Sequence, residues 1–147
     1  MNYLDTSALV KRFVEEEGSA LVKELVEREG PAATSKIAYA EVYSAFYRRS
    51  RAGDLSKARC ILAARQFETD WQAYLRIDLS EEILLLARDL IQRHPLRGFD
   101  AIHVASAINL NSALGESVTF ATADEQQLRA AAAEDLEILN VESRRPR

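Results

Sequence analysis

Apolar residues follow two different spacings along the chain, and each change of spacing marks the boundary of a predicted element. Short apolar runs predict β-strands near residues 1–4, 32–35, 75–77, 117–121 and 137–141. Apolar residues spaced by three and four predict helices over residues 6–13, 18–30, 37–52, 56–74, 80–94, 99–112 and 124–133. This alternation of strands and helices is typical of an α/β domain.

The helix predicted over residues 56–74 carries an unusually bulky apolar stripe. Ile61, Ala64, Phe67, Trp71 and Tyr74 recur at spacings of three and four, so they share one face of the helix. We predict that this face is buried, either in the core of the domain or against another subunit.

Acidic residues follow two of the predicted strands, in the segments NYLDTSALV and FATADEQQL. Strands connected through helices pair in parallel, so their carboxyl ends lie at one edge of the sheet. Ligands of such sheets bind beyond that edge, where the strand order reverses. Asp5 and Asp124 project there, and they meet if the first and fourth strands are neighbours.

Two further acids are predicted to reach the same edge. Glu41 lies about one turn into the helix that follows the second strand. Asp100 begins a helix whose Ala101, Ala105 and Ala107 are small enough to let that helix approach the sheet closely. The sequence therefore predicts that all four acids can converge.

Convergence of carboxylates carries an energetic cost that something must offset. Two like charges about 4 Å apart repel by roughly 4 kcal/mol at an effective dielectric near 20. One shared proton can relieve the repulsion within a pair of carboxylates but not among four. A hard divalent cation such as Mg²⁺ or Mn²⁺ prefers carboxylate oxygens and leaves positions for a phosphate, so it fits better. Thr6, Ser7 and Thr122 can orient such ligands, although turn and cap chemistry explains these hydroxyls equally well.

Each acid also has a simpler explanation when it is taken alone. Asp5 and Asp124 can cap the helices that follow them, and Asp100 is favourable at a helix N-terminus. Glu41 shares a stripe with Ser44, Arg48 and Arg51, which an ordinary solvated helix face would also produce.

His103 lies three residues after Asp100 and can face the same space. Imidazole suits zinc better than magnesium, and a lone histidine among apolar residues is more often packed or supporting. We therefore leave His103 out of the predicted metal ligands.

Length and composition are those of one ordinary globular domain, with 147 residues of which 48% are hydrophobic. We predict a domain over residues 1–142 and a basic C-terminal tail over 143–147. The net charge of −4 disfavours a uniformly basic surface for nucleic acid. No apolar run or secretory signal suggests a membrane, so we expect a cytoplasmic protein.

Four segments in this order resemble the PIN-domain ribonucleases, and most closely the VapC-like toxins of type II toxin-antitoxin pairs. These are YLDTSALVKRF, KIAYAEVYSAF, LRGFDAIHVASA and FATADEQQL. The resemblance implies a three-layer α/β/α fold with a central parallel sheet of about five strands. It also implies an endoribonuclease that depends on Mg²⁺ or Mn²⁺. Asp5, Glu41, Asp100 and Asp124 take the acidic catalytic and metal-binding roles by position, and Thr6 and Thr122 match the accompanying hydroxyls.

The resemblance further implies a homodimer that a small VapB-type antitoxin neutralises. For the RNA substrate, we hypothesise that Arg48 and Arg51 guide the phosphate backbone towards the metal. Two alternatives remain, a non-catalytic RNA- or protein-binding PIN-like module and a phosphatase acting on small molecules. The four intact acids argue against a non-catalytic module. An open acidic cleft flanked by arginines suits a polymer better than the small substrate of a phosphatase.

Overall fold

A five-stranded parallel sheet forms the centre of the molecule. The computed structural model describes residues 1–142, so the predicted tail at 143–147 lies outside the described residues. The sheet has the order β3-β2-β1-β4-β5, and every neighbouring pair is parallel. The strands are β1 (Asn2–Leu4), β2 (Ala33–Ser35), β3 (Leu75–Ile77), β4 (Thr119–Thr122) and β5 (Glu137–Asn140).

Seven helices connect these strands within the described part of the chain, in the predicted order. They are α1 (Thr6–Phe13), α2 (Ser19–Glu29), α3 (Ala38–Ala52), α4 (Lys57–Trp71), α5 (Glu81–Arg93), α6 (Gly98–Leu114) and α7 (Glu125–Ala133). None of the helices in residues 1–142 combines the length and the apolar character needed to cross a membrane.

The fourth strand begins two residues later than the sequence predicts. The backbone N–H of Val118 donates to the side-chain oxygen of Asn111 at 3.0 Å. Pairing with β1 starts only at Thr119, whose N–H donates to the carbonyl of Met1 at 3.0 Å. Residues 117 and 118 therefore belong to the loop, although the buried Val118 continues the apolar run of the strand.

Two hydrophobic cores cover the two faces of the sheet. Alternate strand residues point to opposite faces, so Leu4 belongs to one core and its neighbour Tyr3 to the other. Helices α1 to α4 cover the face of Leu4, and α5 to α7 cover the face of Tyr3. This arrangement is the predicted three-layer α/β/α fold.

The apolar stripe of α4 is buried within the chain, with one correction. Phe67, Trp71 and Tyr74 belong to the core on the α1 to α4 side, but Ile61 is 46% exposed. Cys60 occupies the inward position instead and is buried. Residue 61 is about 100° further round the helix than residue 60, which turns its side chain away from the sheet.

The strand order reverses between β1 and β4, which are neighbours with Leu4 opposite Ala121. Connections from β1 through β3 run over one face of the sheet, while those from β3 to β5 run over the other. A crevice therefore opens beyond the carboxyl ends of β1 and β4. Asp5 and Thr122 lie at these two strand ends.

Candidate active site

Asp5 serves both as the cap of α1 and as the centre of a hydrogen-bond network. Its Oδ1 accepts from the backbone N–H of Ala8 at 3.0 Å and from the hydroxyl of Ser7 at 2.7 Å. Its Oδ2 accepts at 2.8 Å from the hydroxyl of Thr122, the last residue of the neighbouring strand β4. The residue is only 4% exposed. Capping therefore explains one of these contacts but not the contact with Thr122.

Gln127 and Thr122 extend this network to the other side of the crevice. Thr122 Oγ1 lies 2.9 Å from Gln127 Oε1 and accepts from the N–H of Asp124 at 3.0 Å. The amide of Gln127 also donates to the backbone carbonyl of Asp100 at 3.3 Å. These contacts fix the starts of α6 and α7 relative to Asp5.

Asp5, Asp100 and Asp124 form a group of like charges that we call the aspartate cluster. Burial raises the pKa of Asp100, and the charges of Asp124 and Asp5 raise it further. Burial also raises the pKa of Asp5, by more than the charge of His103 and the hydrogen bonds lower it. Asp124 caps α7 by accepting from the N–H of Gln127 at 2.8 Å. The structure thus brings these three predicted acids close enough for the charges of Asp124 and Asp5 to act on Asp100.

Glu41 belongs to a second group, the Glu41 network, which comprises Tyr3, Thr6, Glu41 and His103. The hydroxyl of Thr6 donates to Glu41 Oε1 at 2.7 Å, and His103 Nε2 lies 2.8 Å from the same oxygen. The Tyr3 hydroxyl lies 2.8 Å from His103 Nδ1. If Tyr3 donates to Nδ1, then Nε2 carries the proton and donates to Glu41.

The charge environment of Glu41 differs from that of the aspartate cluster. Burial by itself raises the pKa of Glu41, but the hydrogen bond and charge of His103, together with Thr6, bring it below its ordinary value. Thr6 and His103 both bond to Oε1 of this carboxylate. Its other oxygen, Oε2, is therefore the one that a ligand would use.

Several residues of the site were not among the predicted site residues, and His103 and Gln127 make the most contacts with those that were. His103 was interpreted as a packed or supporting residue and left out of the metal ligands, and the structure agrees, since it is 2% exposed and hydrogen-bonded to Glu41. Its spacing from Asp100 was the available signal, because residues three apart share a helix face. Gln127 stands three residues after the cap Asp124, where a capping box places glutamine. Its side chain instead bonds Thr122 and Asp100.

The two arginines proposed to guide RNA lie in different places. A cavity of about 420 Å³ is lined by Arg48 together with Thr6, Glu41, Ser44 and Phe99. Arg51 instead lines a cavity with Tyr47, Lys57 and Cys60. A further cavity of about 390 Å³ contains an arginine that the sequence did not indicate, Arg97, beside Glu41, Gly98, Phe99 and Asp100. The structure therefore groups Arg48 and Arg97, but not Arg51, with the acids.

The donor atoms at this edge fit a hard divalent cation by their chemistry. Within residues 1–142, no three His, Cys, Asp or Glu side chains are already arranged as a set of metal ligands. The carboxylates would therefore have to draw together around an ion. Burial and repulsion from Asp124 and Asp5 together raise the pKa of Asp100, and a bound cation would offset that repulsion.

Fold and site together define an α/β/α domain with an acidic crevice at the switch point of a parallel sheet. The sequence model of the PIN domain family matches residues 3–133, and the chain belongs to this family. It is 37% identical over 106 residues to Ribonuclease VapC45 of Mycobacterium tuberculosis (strain CDC 1551 / Oshkosh). That match covers 72% of this chain and 74% of the relative.

Solved structures share the fold at low sequence identity. FitAcB from Neisseria gonorrhoeae superposes with a TM-score of 0.68 at 18% identity, covering 96% of this chain and 98% of that chain. VapBC2 from Rickettsia felis, bound to a DNA fragment from its promoter, gives a TM-score of 0.64 at 16% identity. The latter match covers 95% of this chain and 98% of that one. The PIN-like fold predicted from the four sequence segments is thus confirmed.

Proposed function

We propose that this protein is a divalent-metal-dependent endoribonuclease that acts as the toxin of a VapBC-type toxin-antitoxin pair. The observation that carries the proposal is the aspartate cluster at the switch point of a PIN-domain sheet, where Thr122 at the end of β4 donates to Asp5 and Gln127 joins the start of α6 to the same network. A relative named a ribonuclease supports the activity. A solved neighbour from Klebsiella pneumoniae described as a toxin-antitoxin complex agrees with the biological role.

The proposed metal ligands are Asp5, Asp100, Asp124 and Glu41, and the proposed ion is Mg²⁺ or Mn²⁺. Carboxylate oxygens with space for water and phosphate suit these ions. When bound, such an ion would polarise the phosphodiester and lower the pKa of a water molecule that attacks the phosphorus.

Hydrogen-bonding side chains hold the carboxylates in position for this role. Ser7 and Thr122 donate to the two oxygens of Asp5, which fixes the plane of its carboxylate. Thr6 and His103 occupy Oε1 of Glu41, which leaves Oε2 for a ligand or for the attacking water. Partners of this kind restrict the rotation of ligands and raise the affinity of a site.

The proposed partners follow from the same charges. The substrate is RNA, whose phosphates would share the metal with the acids. A small VapB-type antitoxin would bind the toxin homodimer, and a cation in its tail would relieve the repulsion within the aspartate cluster and exclude the metal. We place this pair in the cytoplasm.

The decisive experiment is cleavage of total RNA by the wild-type protein and by Asp5→Asn, with and without added Mg²⁺ or Mn²⁺, followed by mapping of fragment ends. Asparagine fits the site, because its amide can donate to Thr122 while that hydroxyl donates to Gln127. We expect metal-dependent cleavage by the wild type and none by the variant. The matched control, Glu81→Gln in the exposed first turn of α5, should cleave normally.

Two results would overturn the proposal. Full activity of a folded Asp5→Asn protein would remove the aspartate cluster from the chemistry. RNA binding without cleavage in any metal would indicate the non-catalytic binding module instead.

A further inference from the structure

Phe99 places an exposed aromatic ring beside the proposed active site. It is 59% exposed, whereas the next most exposed aromatic side chain in residues 1–142, Tyr47, is 39% exposed. Its neighbours along α6 behave differently, since Ala101 and Ile102 are buried against the sheet. The ring of Phe99 therefore contributes little to the core of the domain.

The position of Phe99 relates it directly to the acids. Two cavities, of about 420 and 390 Å³, share the same two lining residues, Glu41 and Phe99. Arg48 lines the first cavity and Arg97 lines the second. The exposed ring and Glu41 thus border both cavities, and each cavity has one arginine.

The backbone next to the ring is not crowded. A Cβ atom added to the adjacent Gly98 would meet no other atom within 4 Å. Packing therefore does not require a glycine at residue 98, and the backbone before Phe99 is accessible from outside. The open space at Gly98 and the 59% exposure of Phe99 leave room for a flat ligand beside the ring.

We propose that Phe99 is a stacking platform for a nucleobase of single-stranded RNA, with Arg48 and Arg97 contacting the phosphates on either side. This inference rests on the proposed function and names the residues that would contact one base and its flanking phosphates. Bases stack on aromatic side chains with little regard for sequence, and unpaired RNA exposes its bases for this contact. Arginine forks match phosphate oxygens, which gives the strand a path past Glu41.

The ligand chemistry favours RNA over a peptide tail on this surface. A phosphate chain has one negative charge for each nucleotide, so it satisfies both arginines while presenting a base between them. A stacked base next to Glu41 also positions an adjacent phosphodiester near the aspartate cluster. Base-paired RNA would not bind in this way, because its bases are stacked on one another.

The test measures binding of a short fluorescent single-stranded RNA by anisotropy. All proteins contain Asp5→Asn, so that the RNA is not cleaved. A second probe of the same length keeps the phosphates but replaces each nucleoside with an abasic unit. Phe99→Ala and Phe99→Trp are compared with a control, Leu84→Ala, which truncates an exposed apolar side chain on α5.

We expect Phe99→Ala to weaken RNA binding roughly tenfold or more, which is the usual loss for one stacked base. Affinity for the abasic probe should stay unchanged, and Phe99→Trp should retain the affinity for RNA. Leu84→Ala should bind both probes normally. An equal loss on both probes, or no loss on RNA, would overturn the stacking role. A Phe99→Ala defect confined to a protein partner would also overturn it, in favour of antitoxin docking.

The arginines have their own arm of the experiment. Arg48→Ala and Arg97→Ala should each reduce the slope of log affinity against log salt by about 0.7, the single-strand value for one phosphate contact. Arg51→Ala, in its separate cavity, should leave the slope unchanged. If the wild type cleaves RNA while these slopes do not change, the inference fails and the proposed function survives. If the wild type neither binds nor cleaves RNA, both fail.

Discussion

The aspartate cluster and the Glu41 network lie at the same edge of the sheet, but the pKa values of their carboxylates are shifted in opposite directions. In the cluster, Asp100 faces Asp124 and Asp5, and its pKa rises. In the network, Glu41 faces His103, and its pKa falls. Burial acts in the same direction on both carboxylates, so the difference comes from their neighbours.

This difference suggests that the aspartate cluster and the Glu41 network have different roles in the site. Glu41 is already compensated, so its geometry is fixed before any ligand binds. In the aspartate cluster, burial and repulsion outweigh the groups that favour the ionised carboxylates, so we expect a cation to gain most of its binding energy there. We therefore expect variants of the cluster to alter metal binding and chemistry, and variants of the network to alter positioning.

Removal of one charge from the cluster should produce the largest effect. We expect Asp100→Asn to reduce the rate of RNA cleavage by roughly a thousandfold, because a metal supplies several kcal/mol of transition-state stabilisation. Single-turnover cleavage at saturating metal measures this loss, and circular dichroism checks the fold. Cleavage at more than a tenth of the wild-type rate, by a folded variant, would mean that Asp100 is not a ligand.

Disruption of the Glu41 network should cost less. We expect His103→Ala to reduce cleavage roughly ten- to a hundredfold, the usual effect of losing a group that orients a metal ligand. His103→Gln can restore a donor near Nε2, so it should recover part of the activity. Tyr3→Phe removes only the hydroxyl that faces Nδ1 and should have the mildest defect.

A positioning role predicts recovery by glutamine, whereas a purely structural role does not. Metal affinity, measured by calorimetry on the same variants, separates the two. If His103→Ala and His103→Gln lose equal activity and bind metal like the wild type, His103 only fills the core.

The aspartate positions could be predicted because they depend on little beyond chain order. Asp5 and Asp124 follow strands of a parallel sheet, and the rules of connection bring such strand ends to one edge. Asp100 followed from the small residues of α6, which are buried against the sheet as expected. These inferences needed no side-chain geometry.

The Glu41 network and the positions of Arg51 and Arg97 could not be predicted in the same way, whereas the stripe shared with Glu41 did indicate Arg48. The contact between Glu41 and His103 depends on how α3 and α6 pack, which no spacing within one helix specifies. Arg51 shares a stripe with Glu41, but ten residues correspond to about 15 Å along a helix. Arg97 reaches Glu41 from a distant segment, so a helical pattern could not indicate it.

Metal binding should stabilise the protein through the cluster rather than the network. At about a hundred times the dissociation constant, an ion that binds only the folded state adds about 2.7 kcal/mol to the free energy of unfolding. We expect this gain, measured by thermal unfolding with Mg²⁺ or Mn²⁺, to disappear in Asp100→Asn. The control Glu81→Gln should keep it. An equal gain in Asp100→Asn would place the ion elsewhere.

The smallest predicted effects are two changes in the free energy of unfolding, of opposite sign, for Asp100→Asn and Glu41→Gln in the absence of metal. Asp100 has an ordinary pKa of 3.8 that is raised in the folded protein, so its ionisation destabilises the fold as pH rises through the folded value. Asp100→Asn should therefore be more stable than the wild type at neutral pH and lose this advantage below about pH 3.8. Solvent screening of this partly exposed group limits the gain to about 1 kcal/mol.

Glu41 should show the opposite dependence, because its pKa is lowered from an ordinary value of 4.5. Ionised Glu41 stabilises the fold above that pH, and the contribution is lost as pH falls through the folded pKa. Glu41→Gln should thus be less stable than the wild type at neutral pH, by about 1 kcal/mol, since a neutral amide accepts weaker hydrogen bonds from Thr6 and His103. Urea unfolding of both variants across this pH range measures the two curves. Curves that move in the same direction would show that the cluster and the network do not differ in how their charge is compensated.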